Sequence, residues 1–158
     1  MTFSTISLYE KETKLVFKRD DTGKINFAVV DLRAISPVAV SDAVFLSTFF
    51  RKEILKNEQF NLLDRNNMDR ILAEQGFQQT GCTTSECIVQ IGKLLNVNYI
   101  LTGNFGKLGD KYLITVQITD IESGKIVYTD RETLAVLAPE PAEYCVKALL
   151  TRLFIKTE

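Results

Sequence analysis

The chain alternates between short apolar runs and helically spaced apolar positions. Lys24–Asp31 (KINFAVVD) is a β-branched, mostly apolar run with the length of a strand buried on both faces. Past Pro37, residues Ala43, Leu46, Phe50 and Ile54 recur at helical spacing. They predict a helix capped by Ser41 or Asp42 and running to about Asn57. Gln59–Leu63 reads as a second short strand. Met68, Ile71 and Leu72 mark one face of the next helix, which stops at Gly76, a residue suited to a left-handed C-terminal position. Thr84 or Ser85 caps a third helix with Ile88, Ile91 and Leu95 inward, and Val97–Phe105 is the third strand.

From Lys111 the period becomes two. Tyr112, Ile114, Val116 and Ile118 share one face of a strand reaching Asp120, and Glu122-Ser123-Gly124 turns the chain into a returning strand, Lys125–Leu134. Leu108-Gly109-Asp110 turns the hairpin before it. Pro139 and Pro141 introduce a last helix whose inner stripe is Ala142, Cys145, Val146, Leu149 and Leu153. The order is β-α-β-α-α-β-β-β-α. Crossover connections make the first three strands parallel, and the last two add an antiparallel meander. The expected fold class is α/β, a single three-layer domain with a mixed sheet flanked by helices over residues 24–158. Residues 1–23 read as an N-terminal arm or an edge hairpin, with Ile6 and Leu8 alternating and Asp20–Gly23 as a turn.

Composition narrows the function. The 158 residues carry a net charge of −1 and no basic stripe, so nothing favours nucleic acid. No apolar run reaches the roughly 18 residues of a membrane span, and Met1 opens no signal-peptide pattern. The absence of histidine removes Ser-His-Asp and Cys-His nucleophile systems and His-based zinc sites. The chain is therefore expected not to be an enzyme, and no catalytic residue, cofactor or metal is assigned.

Residues 81–92 read GCTTSECIVQIG. The Cys82-x4-Cys87 spacing lacks the second pair of a zinc site and is too wide for a Cys-x-x-Cys redox motif. A disulfide is feasible because the loop can fold Cys82 back over the first turn of the helix, provided the compartment is oxidising; two reduced thiols are the alternative. Gly103, Gly106 and Gly109 in GNFGKLG sit in and around a hairpin and lack the following helix of a phosphate loop. Asp64-Arg65 and Glu74-Gln75 bracket the second helix, where capping and surface ion pairing explain them better than paired-carboxylate chemistry. Phe45 and Phe49 lie to one side of their helix's core stripe. They either sit under a neighbouring loop or form a partner-facing aromatic pair.

The sequence of FAVVD, a strand running into LLDR, a helix closing on ILAEQGF, the cysteine loop, IGKLLNVNYILTG and a hairpin closing on ITDIESGKIV resembles the CsgG-like family. That family includes the curli secretion protein CsgG, the LpoB-like activators of penicillin-binding proteins, FlgO and, more loosely, the TolB amino-terminal domain. The resemblance covers about residues 24–135. It implies an α/β periplasmic domain, commonly lipid-anchored at the outer membrane and acting as adaptor or scaffold. Asp64, Arg65, Glu74, Gln75 and Gly103 match recurring positions of the family and are structural in what it implies. The long membrane hairpins of the secretion channel have no counterpart here, and no lipobox cysteine stands near the start, so an anchor would lie outside these residues.

The expectation is a non-enzymatic envelope protein, periplasmic and outer-membrane associated, that binds a protein partner or itself. Two rivals stand beside it: a ring-forming subunit of a secretion or surface-organelle assembly, and a small-molecule sensor or carboxylate-based enzyme. A cytoplasmic location is the alternative compartment.

Overall fold

A computed structural model describes residues 14–78, 82 and 84–157. Ile6, Leu8 and the remainder of the cysteine loop lie outside them. The described elements are β1 (Ile25–Val29), β2 (Arg33–Ala34), α1 (Val40–Leu55), β3 (Phe60–Leu62), α2 (Arg65–Glu74), α3 (Ser85–Leu95), β4 (Tyr99–Leu108), β5 (Lys111–Asp120), β6 (Ile126–Leu134) and α4 (Pro139–Lys156). They form one mixed sheet in the order β3-β1-β4-β5-β6, with β2 on the continuation of β1's side of β4. β1 pairs parallel with β3 and β4, and β4, β5 and β6 pair antiparallel, as the element order implies.

Each face of β1 is buried, which is why its sequence is continuously apolar. Ile25, Phe27 and Val29 join the larger core with Ala43, Leu46, Phe50 and Ile54 of α1 and Val146, Leu149 and Leu153 of α4. Ala28 and Val30 face the smaller core with Met68, Leu72, Ile88, Ile91 and Leu95. Ile114, Val116 and Ile118 of β5 complete the larger core, so the period-two pattern matches the buried side. Lys14–Gly23 runs alongside this core. Phe17 is buried edge-on against Tyr99 and Phe60, the Lys18 amide donates to the Tyr99 hydroxyl at 2.8 Å, and Leu15 bridges to Thr157.

Several boundaries differ from the pattern. α1 begins at Val40 with Ala39 as N-cap and no side-chain cap, rather than at Ser41 or Asp42. The Ala39 carbonyl already accepts from the Asp42 and Ala43 amides, so Asp42 lies inside the first turn, where its charge complements the helix dipole. β4 continues to Leu108, which pairs with Lys111, leaving a two-residue turn with Gly109 at φ 65°. β2 is too short to leave a periodic signature. Thr84 is the residue that caps α3, its hydroxyl accepting from the Cys87 amide, and Gly76 takes the left-handed φ of 75°.

Candidate functional site

An ion network sits past the carboxyl ends of β1 and β3, where α1 and α2 meet the sheet. Asp31, just past β1, accepts from Arg51 of α1 at 2.8 Å and from Arg65 of α2 at 2.6 Å. Arg51 also donates to the Val29 carbonyl at 2.7 Å. The Asp31 and Arg51 side chains are almost wholly buried, while Arg65 reaches solvent and meets Asp69 at 3.5 Å. Burial pushes the Asp31 carboxyl up, but the Arg65 and Arg51 hydrogen bonds and charges outweigh it and hold the group below the usual carboxylate range. Ser47, one turn before Arg51, accepts from the Leu32 amide and donates to the Ala43 carbonyl, both at 2.7 Å. The network ties the β1 end to two helices and neutralises its buried charge locally.

Sequence reasoning did not single out Asp31 or Arg51. A signal existed: Ser47 and Arg51 follow Ala43 at steps of four, on a stripe that is otherwise apolar. A cation on such a stripe calls for a buried carboxylate.

The bracket residues of α2 do structural work. Asp64 is the N-cap, accepting from the Asn67 amide at 3.1 Å, and Gln75 is the C-cap. Glu74 pairs with Arg70 across one turn at 3.2 Å. Arg65 alone of these reaches the network. Gly103 lies where β4 and β5 approach closely: a Cβ there would overlap the Thr115 carbonyl oxygen. Cys82 and Cys87 form a disulfide with Cα atoms 5.5 Å apart, holding the chain before α3 against its first turn. Cys145 is buried and unpaired, its thiol donating to the Thr133 carbonyl at 3.4 Å. Among the described residues no cluster of three metal-capable side chains occurs, and no helix is long and apolar enough to cross a membrane.

Phe45 and Phe49 share a groove of about 240 Å³ between α1 and the start of α4, lined also by Leu46, Phe105, Leu137 and Pro139. The two rings differ. Phe49 is partly buried against the larger core, whereas Phe45 is 67% exposed. Leu137 and its neighbour Val136 are also exposed, so the β6–α4 connection borders the groove without closing it.

A model of the peptidoglycan-synthase activator LpoB matches residues 42–134, more than half of the 158-residue chain. The chain belongs to the LpoB family. The LpoB C-terminal domain from Salmonella enterica superposes with a TM-score of 0.58 at 14% identity, over 75% of this chain and 88% of that one. The lipoprotein GNA1162 from Neisseria meningitidis gives a TM-score of 0.61 at 9% identity, over 81% and 95%. The PelC dodecamer from Paraburkholderia phytofirmans gives 0.55 at 13%, over 89% and 93%. No curated protein sequence matches the chain. Membership of the LpoB family makes this chain a non-enzymatic protein that acts by binding other proteins, on the periplasmic side of the outer membrane. That compartment is oxidising, in keeping with the Cys82–Cys87 bond.

Proposed function

We propose that the chain activates a peptidoglycan synthase by docking on it through the Phe45–Phe49 groove. The observation carrying this reading is the match of residues 42–134 to the activator family, a span that contains both rings. The groove supplies what a docking surface needs: a 67% exposed aromatic ring beside a partly buried one, with Leu137 and Val136 at the border. Burying such aromatics at the centre of an interface contributes more than their number suggests. The test is crosslinking of the tagged full chain in its native envelope, followed by affinity measurements with each captured synthase. Phe45→Asp is expected to weaken binding at least tenfold with an unchanged melting temperature. Unchanged affinity sinks the groove assignment, and capture of no synthase sinks the activator reading.

Self-association is a second reading, favoured by the fold shared with the PelC dodecamer. Light scattering separates the two. A concentration-dependent oligomer that Phe45→Asp dissolves places the groove between copies, and a monomer throughout removes this reading.

A further inference from the structure

The smaller core covers the second face of the sheet only at β1 and the near ends of β4 and β5. Beyond it, no described helix covers Thr102 and Asn104 of β4 or Thr115 and Gln117 of β5, and these side chains share one face through the pairings Thr102–Gln117 and Asn104–Thr115. They floor a cleft of about 460 Å³, within the roughly 300–1,000 Å³ of ordinary ligand pockets. Thr84 and Ser85, at the N-terminus of α3, and the disulfide at Cys82 bound it on one side, and Arg33, paired with Asn104, bounds it on another. Val30, Ile88 and Ile126 give it apolar walls.

The polar groups of this cleft are uncommitted. Thr102, Asn104, Thr115, Gln117 and Arg33 make no side-chain hydrogen bond or ion pair among the described residues. Nor does Thr119, which lines the cleft on the same face as Thr115 and Gln117. The charges are one-sided. Arg33 and the positive end of α3 face the cleft, and the one carboxylate in its lining, Asp31, is already held by two arginines. Asp130 and Glu132 of β6 pair with Val116 and Ile114, on the opposite face, and bind Arg152.

We propose that this cleft binds a short peptide through its free carboxylate. Arg33 and the α3 N-terminus receive the carboxylate. Asn104, Gln117 and the threonine hydroxyls, which both donate and accept, match peptide amides, and the apolar walls take small alkyl side chains. A bare anion would leave the amide-matching groups unused, and the lining contains no aromatic ring on which a sugar could stack. The site is separate from the Phe45 groove, so the docking reading and this one stand or fall independently.

The test is amide chemical-shift titration of the intact, oxidised chain with three probes: trialanine as the free acid, trialanine C-terminal amide, and acetate. The free acid is expected to shift Thr102, Asn104, Gln117 and Thr119, with the amide and acetate at least tenfold weaker. Arg33→Gln is expected to lower the free-acid affinity about tenfold, and Gln117→Ala to lower it several-fold; both positions are solvent-accessible, and the spectrum of each variant reports its fold. No shift up to millimolar peptide overturns the proposal. Equal response to acetate overturns the peptide assignment, and shifts confined to α1 and α4 overturn the location. Trialanine as the C-terminal tail of a folded carrier then identifies the source. Retained affinity admits protein chain ends, lost affinity confines the site to free peptides, and each result upholds the class.

Discussion

Replacing Asp31 by asparagine removes a charge while keeping the shape of the side chain. What remains is Arg51, whose side chain is 9% exposed and whose Nε and Nη1 already have no acceptor among the described residues. Burial draws the Arg51 pKa down, with Asp31 opposing the shift, but a guanidinium does not discharge at neutral pH. The variant therefore holds an uncompensated buried cation. Removing one partner of such a pair costs about 3–5 kcal/mol. A domain with about 5–15 kcal/mol of stability would lose at least about a fifth, and at roughly 2–4 °C per kcal/mol for a chain of this size its melting temperature would fall by about 6–20 °C. Arg65→Gln is the control. Arg65 is 38% exposed and leaves Arg51 on Asp31, so its loss should cost about 1 kcal/mol. Urea titration followed by circular dichroism at pH 7 measures both. The same titration in acid supplies a signature. The Asp31 pKa is lowered in the folded state, so its stabilisation is complete above the unfolded value, near 4, and disappears as pH falls through the folded value. The gap between parent and Asp31→Asn should close over that window. A variant within about 1 kcal/mol of the parent at pH 7, or a gap independent of pH, would refute the argument.

Other positions yield simpler expectations. Gly103→Ala forces a methyl group onto the Thr115 carbonyl, so β4 and β5 must separate; a loss of at least about 2 kcal/mol in urea titration is expected. Ser47→Ala removes the acceptor of the buried Leu32 amide and should cost about 1–3 kcal/mol by the same assay. Unreduced protein should titrate one thiol after denaturation, from Cys145, and three after reduction. Replacing both Cys82 and Cys87 by serine should lower stability by about 2 kcal/mol on the loop-entropy model; three thiols in unreduced periplasmic protein would refute the bond.

Much of this architecture is legible along the chain. The stripes of α1, α2, α3 and α4 and the alternation of β5 identify the buried faces, because an element must hide its own apolar side and that demand is written at its own period. The parallel and antiparallel halves follow from whether a helix intervenes between strands. The Cys82–Cys87 spacing, the Thr84 cap and the Gly76 stop are equally local. The helix start at Val40 and the two-residue β2 escaped because neither has a periodic signature of its own.

Tertiary structure alone decided what meets across the chain. Asp31 stands 20 residues from Arg51 and 34 from Arg65, and nothing in the local pattern pairs them. The same holds for Phe45 beside Leu137, and for Arg33 beside Asn104 at the cleft. Burial is a property of one element's periodicity, so sequence displays it. An ion pair, a groove or a cleft depends on which elements lie side by side, and that emerges only when the sheet order β3-β1-β4-β5-β6 brings their ends together.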